Sequence, residues 1–304
     1  MRGAPTHPGE GRRALAMLRF APDGATIGHE LVDPDSPQLT VLDLAATRGD
    51  GIFETISIGS GHPQALDPHL RRFASSAAML DLPAPDLAAW SAAVRAVAGE
   101  LGAIAEGFVK IVLSRGIEGD DLPTGWAFAA PSPDFTAART EGIRIVLLDR
   151  GYRHDVARTS PWLLAGAKTL SYAVNRAAYR EADRRDADDA LFVSSDGYLL
   201  EGPSSTLILR RGAHLCTPRT DLGILAGTTQ LDLFRYAQDG GLTTSYDLLT
   251  ADDLLTADAA WLVSSVRHAA PVRGVDGAPL PVDRDLTDAF NDFLRARTRG
   301  SAST

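Results

Sequence analysis

Residues Ile52-Phe53-Glu54-Thr55-Ile56-Ser57-Ile58 alternate between apolar and polar, the two-residue period of a half-buried strand. Leu39–Leu44 also reads as a strand, as do Gly107–Ser114 and residues 141–149, the last closing the first half of the chain. Between them the period lengthens. Leu70, Phe73, Ala74, Ala77 and Leu80 recur at helical spacing and form one apolar face, and Asp67-Pro68 supplies an N-cap and a first helical proline. A second helix is expected from Asp86 to Leu101. In the second half an amphipathic helix is expected to start at Lys168, placing Tyr172 one turn further on. Asp196-Gly197 ahead of Tyr198-Leu199-Leu200 is a two-residue hairpin signal, and Ser205–Leu209 reads as the next strand. Gly227-Thr228-Thr229 with Leu231, Leu233 and Phe234 behind it predicts a loop entering a helix. Residues 260–272 read as strand, polar turn and short strand, and 284–299 as a closing helix.

Composition narrows what such a chain can do. Its 304 residues suit one large or two medium domains, and 44% apolar with 23% charged residues is ordinary for a globular protein. Thirty basic against thirty-nine acidic residues leave a net charge of −9 with no long basic run, which argues against nucleic acid as a partner. The single cysteine, Cys216, excludes an internal disulfide and a cysteine metal cage; it follows an apolar residue and reads as an inert buried thiol, and no metal site is expected. No apolar run approaches the roughly 20 residues that span a bilayer, and the N-terminus lacks the apolar core of a signal peptide, so a cytoplasmic protein without a membrane partner is expected. The expected division is a disordered tail over 1–18, a smaller α/β domain over 19–150, a crossover over 151–164, a larger domain over 165–299, and a frayed tail over 300–304.

Two residues carry the candidate chemistry. Lys168 lies among small and apolar neighbours, where desolvation favours a neutral amine able to condense with an aldehyde cofactor and to shuttle protons. Glu201 follows the predicted hairpin, and a carboxylate there suits the pyridine nitrogen of pyridoxal phosphate. Taken alone, both letters also fit solvated surface charges. Their setting decides between these readings. Ala-Lys168-Thr-Leu-Ser-Tyr172 with Asn175, then Asp-Ala-Leu-Phe-Val and Ser-Ser-Asp-Gly-Tyr-Leu-Leu-Glu201-Gly, resembles the central motif of the class IV (fold type IV) pyridoxal-phosphate enzymes. Gly49-Asp-Gly-Ile-Phe-Glu54 resembles that family's GDGxFE element, His69-Leu-Arg-Arg72-Phe its HLxRL element, Leu-Ala226-Gly227-Thr228-Thr229-Gln230 its LPGITR element with Ala226, Thr228 and Gln230 substituted, and Ser264-Ser265-Val-Arg267 its last phosphate-side contact. These elements occur in the family's order from Gly49 to Arg267.

The resemblance implies an α/β (α+β) fold of two domains with pyridoxal phosphate at their interface, Lys168 and Glu201 both from the second, and a homodimer acting on small molecules. It implies that Lys168 is the catalytic amine, Glu201 the partner of the pyridine nitrogen, and Tyr172 a hydrogen-bond donor to the phenolic oxygen. It implies phosphate contacts from Arg72, whose paired donors suit the group, and from Thr228, Thr229, Ser264 and Ser265. From the residues alone, Tyr172 equally suits a core aromatic and Thr228 or Thr229 a helix cap. The substrate-carboxylate anchor is open: the acidic run Ile117-Glu118-Gly119-Asp120-Asp121 stands where some relatives carry an arginine or histidine, leaving Arg115, otherwise a turn residue, or Arg267, otherwise a surface arginine. The wording is closest to 4-amino-4-deoxychorismate lyases of actinobacterial type. The first expectation is therefore a lyase yielding 4-aminobenzoate and pyruvate, for folate synthesis. The second is a transaminase pairing D-amino or branched-chain amino acids with 2-oxoglutarate. A cofactor-retaining protein without turnover has no support, since Lys168 and Glu201 are both present.

Overall fold

The computed structural model describes residues 11–297, and the chain divides into two compact units. One comprises the described residues up to 133 together with 167–172 and 295–297. Its elements are β1 (Ala14–Phe20), β2 (Thr26–Val32), α1 (Leu44–Thr47), β3 (Gly51–Gly59), β4 (His62–Pro63), α2 (Leu66–Met79), α3 (Leu87–Leu101), β5 (Glu106–Ser114) and β6 (Thr124–Pro131). The strands form a six-stranded antiparallel sheet in the order β2-β1-β6-β5-β3-β4. The helices α2 and α3 cover one face, and Phe73 meets Trp90 edge to face between them. Ile52, Ile56, Val109, Ile111, Ala127 and Ala129 are fully buried, as alternation along three central strands requires.

The other unit spans residues 134–166 and 173–294. It contains α4 (Thr136–Thr140), β7 (Ile143–Asp149), α5 (Val156–Thr159), α6 (Ala173–Arg184), β8 (Asp189–Val193), β9 (Thr206–Arg211), β10 (His214–Pro218), α7 (Thr228–Asp239), β11 (Thr243–Asp247), α8 (Ala251–Leu255), β12 (Ala259–Ser264), β13 (His268–Val275), β14 (Ala278–Pro279) and most of α9 (Arg284–Ala296). Its eight-stranded mixed sheet runs β11-β10-β9-β12-β13-β7-β8, with β14 on β13. Both faces are covered: Leu207, Leu209 and Leu262 pack into one cluster, while Ile208, Trp261 and Val263, one residue out of phase, pack with Leu233, Phe234 and Phe290 into another.

Several expectations change. The chain is already in β1 at Ala14, because Ala14, Ala16 and Leu18 are buried between β2 and β6; the tail is not 1–18, and residues 1–10 lie outside the described residues. Leu39–Leu44 is not a strand. Val41 is 84% exposed with no partner strand, and the Asp43 side chain accepts from the Ala45 amide to start α1. Asp67 is not the cap of α2: Ala65 is, in a left-handed conformation without a side-chain cap, and Asp67 sits in the first turn. The strand over 141–149 belongs to the second sheet, where β7 pairs in parallel with β8 and β13, so the first unit's sheet ends before Asp134 and the segment 151–164 packs within the second unit. Tyr198–Leu200 makes single bridges to Thr250 and Val193 rather than a strand, although the predicted turn is present with Gly197 at φ 92°. The closing helix ends at Ala296; the frayed tail expected over 300–304 lies outside the described residues.

Candidate functional site

Lys168 is not helical. Residues 167–172 run alongside β3 in the first unit, and α6 begins only at Ala173. The Lys168 carbonyl accepts from the Phe53 amide at 3.0 Å, its own amide donates to Ser76 Oγ at 3.1 Å, Thr169 bridges Ile52, and the Leu170 amide donates to the Gly51 carbonyl at 2.8 Å. Extended pairing replaces the helix because β3 offers an open edge to this segment. Gly49 allows the approach: at φ 66° a Cβ there would lie 3.1–3.2 Å from Ser171 atoms. Lys168 Nζ stands 4.6 Å from the centroid of Phe53, and Tyr172 meets the same ring edge-on at 5.5 Å. Lys168 and Tyr172 are thus brought together, by a shared aromatic and not by a helical turn. The sequence has one other lysine, Lys110, which is exposed on β5.

Arg72, on α2, faces Glu54, the residue after Phe53 on β3. Arg72 Nε and Nη2 donate to the two Glu54 oxygens at 2.6 and 2.8 Å, and His69 Nδ1 shares a hydrogen bond with Glu54 Oε2 at 2.8 Å. Glu54 is fully buried. Burial alone would raise its pKa, but the Arg72 charge and the hydrogen bonds from Arg72 and His69 outweigh that and hold the carboxyl below the usual range. For His69 burial dominates and lowers the imidazole, against the pull of Glu54. Arg115 is committed elsewhere: its guanidinium donates to Asp50 at 2.7 and 3.3 Å and to the Leu80 carbonyl, at the end of α2, at 2.7 Å. This is the turn-residue alternative.

In the second unit Glu201 follows the predicted turn, and its Oε2 accepts from the Leu225 amide at 3.1 Å. Asn175, on α6, donates to the Pro203 carbonyl at 2.6 Å and ties the loop after Glu201 to that helix. Thr228 and Thr229 open α7, whose N-cap, Gly227, supplies no side-chain cap. A Cβ at Gly227 would sit 2.4 Å from Thr206 Oγ1. Thr229 Oγ1 lies 3.4 Å from Ser265 Oγ, in the turn between β12 and β13, and Ser264 ends β12. Arg267 is not on the surface: it is 7% exposed, and its Nη1 pairs with the fully buried Asp189 at 2.6 Å. Burial raises the Asp189 carboxyl; Arg267 and the Ala190 amide offset this only in part. Cys216 is buried, which pushes its thiol up to about 11 and makes it unreactive.

Four buried polar residues, Glu54, His69, Asp189 and Arg139, have no role assigned to them from the sequence. The available signal was one acidic letter inside an apolar strand (Ile-Phe-Glu54-Thr-Ile and Asp189-Ala-Leu-Phe-Val), since a carboxylate in such a run is buried only with a partner. Among the described residues no helix is long and apolar enough to cross a membrane, and no group of three or more His, Cys, Asp or Glu is placed to hold a metal ion.

Each unit, taken by itself, carries groups of a kind that pyridoxal phosphate takes. The first has the primary amine of Lys168; the second has the Glu201 carboxylate and the start of α7 with the adjacent Thr229 and Ser265 hydroxyls, a terminus suited to a phosphate. The family described as amino-transferase class IV matches residues 51–275. A bifunctional aminodeoxychorismate lyase / D-amino acid transaminase of Mycobacterium tuberculosis is 42% identical over 281 residues, covering 89% of this chain and 97% of that protein. Among solved structures, a fold IV-transaminase from Curtobacterium pusillum is 53% identical with a TM-score of 0.90, covering 95% of this chain and 99% of that one. The PLP-bound form of a hypothetical aminotransferase from M. tuberculosis is 40% identical with a TM-score of 0.84, covering 93% and 98%. The chain therefore belongs to the class IV aminotransferase family, a pyridoxal-phosphate-dependent family of α/β enzymes with the type IV fold.

Proposed function

We propose that this chain is a 4-amino-4-deoxychorismate lyase that releases 4-aminobenzoate and pyruvate, the former for folate synthesis. The observation that carries the reading is Lys168: it is half-buried, its carbonyl accepts from the Phe53 amide of β3 and its amine stands 4.6 Å from the Phe53 ring, while Lys110, the other lysine of the sequence, is exposed on β5. The cofactor, when bound, supplies an electron sink for the pair released at the substrate's amine-bearing carbon. Lys168 Nζ removes the proton from that carbon, Glu201 keeps the pyridine nitrogen protonated, and Tyr172 donates to the phenolic oxygen. The electron pair expels the ether oxygen of the enolpyruvyl group, the ring becomes aromatic, and Lys168 returns a proton to the departing three-carbon fragment. Arg72, Thr228, Thr229, Ser264 and Ser265 take the phosphate. Support for the lyase comes from the M. tuberculosis relative, named for both activities. The same reading carries a cytoplasmic homodimer.

A second reading, transamination of D-amino acids with 2-oxoglutarate, uses the same residues and is favoured by the same relative and by the C. pusillum transaminase. Turnover of enzymatically generated aminodeoxychorismate separates the two. Equal amounts of 4-aminobenzoate and pyruvate, both absent with Lys168→Ala, are expected. No product from an enzyme that transaminates D-alanine would replace the lyase with the second reading.

A further inference from the structure

We infer that Asp189, Arg267 and Arg139 are positioning residues that set the Ser264–Ser265 turn against the start of α7 and thereby fix how tightly the cofactor's phosphate is held. The inference rests on the reading that Thr228, Thr229, Ser264 and Ser265 take that phosphate.

Sheet pairing between β12 and β13 ends at Ser264 and His268, and Ser265, Val266 and Arg267 form the turn between them. Side chains hold this turn in place. Arg139, on α4 and 5% exposed, donates from Nη2 to the Val266 carbonyl at 3.0 Å and from Nε to the Arg267 carbonyl at 2.9 Å. The planar fork of a guanidinium reaches two successive carbonyls, which an ammonium cannot do with the same rigidity. Arg267 extends inward to Asp189, the first residue of β8, whose other oxygen accepts from the Ala190 amide at 2.8 Å. On the far side of the turn Asn291 clamps Ala269, accepting from its amide at 3.0 Å and donating to its carbonyl at 2.9 Å. Between the clamps His268 is buried at φ 64°, a left-handed conformation that a non-glycine residue keeps only where its surroundings impose it.

As a stabilising device this cluster is poor. Nε and Nη2 of Arg267 are buried without a hydrogen-bond partner among the described residues, and a buried ion pair is commonly no more stable than packed apolar side chains. As a means of fixing one turn it is good. That turn presents Ser265 Oγ 3.4 Å from Thr229 Oγ1, at an α7 terminus with no side-chain cap.

The test compares pyridoxal 5′-phosphate with pyridoxal, which lacks the phosphate, titrated into the full chain after removal of bound cofactor. Asp189→Asn and Arg139→Lys are each expected to weaken pyridoxal phosphate binding on the order of tenfold, as loss of a group supporting a ligand contact commonly does, with pyridoxal binding changed less than about twofold. Inorganic phosphate should compete less well in both variants than in the parent. Ser265→Ala, which removes a direct contact, is the reference. If Ser265→Ala lowers the phosphate preference and folded Asp189→Asn and Arg139→Lys do not, the inference is overturned while the phosphate reading stands. If Ser265→Ala also leaves the preference unchanged, the phosphate reading fails and the inference with it. Should Asp189→Asn not fold, Arg139→Lys, which keeps the charge, decides alone.

Discussion

Each unit buries one carboxylate in its sheet against an arginine, and the two are built to opposite specifications. Glu54 receives two bonds from Arg72 and one from His69, and its pKa is driven down in spite of burial. Asp189 receives one bond from Arg267 and one from a backbone amide; burial wins, its pKa is raised, and Arg267 keeps two buried donors without partners among the described residues. The first carboxylate is a satisfied network that fixes an arginine beside β3. The second is an under-satisfied pair whose geometry serves the turn above it. Burial and an opposite charge are common to both; Glu54 has the more donors, and Asp189 also has the like charge of Asp188 beside it.

The largest expected effects break these pairs. Glu54→Gln leaves the mostly covered Arg72 charge without its counter-charge and should lower stability in denaturant titrations by about 3–5 kcal/mol. Asp189→Asn likewise strips the counter-charge from a buried guanidinium, that of Arg267, and should cost a similar amount, about 3–5 kcal/mol. The two carboxylates separate in their pH dependence. Glu54 has a depressed folded pKa, so its contribution is full above the unfolded value of about 4.3 and drains away as pH falls below it. His69, kept neutral by burial, adds a loss of the same sign as pH falls below about 6.5. Asp189 has a raised folded pKa; its contribution is full below about 3.9 and is lost as pH rises through the folded value. The stability deficit of Glu54→Gln should therefore grow as pH rises from the acid side, and that of Asp189→Asn should shrink. The smallest effect belongs to Arg115→Ala, a partly exposed pair with Asp50, expected to change stability by no more than about 1 kcal/mol. The Michaelis constant should stay within about twofold; a large rise would restore Arg115 as a substrate anchor.

Local chemistry was legible in the sequence. The turn at Asp196-Gly197, the start of α7 after Gly227 and the burial of Cys216 follow from short stretches read alone. Long-range pairing was not. Nothing local to 141–149 says that β7 pairs with β8 and β13, and nothing in the helix-like spacing of Lys168 and Tyr172 says that β3 captures residues 167–172 as an extended segment. Tertiary hydrogen bonds overrode the local pattern in both cases. Arg267 was misjudged for the same reason: an arginine letter reads as surface until its partner, Asp189, is found 78 positions away.

Borohydride reduction of the enzyme with bound pyridoxal phosphate, followed by peptide mass mapping, tests the central claim most directly. The reduced cofactor should be found on the peptide carrying Lys168, with the Lys110 peptide unmodified and no label in Lys168→Ala. Label on Lys110, or label that persists in Lys168→Ala, would contradict the assignment of Lys168 as the catalytic amine.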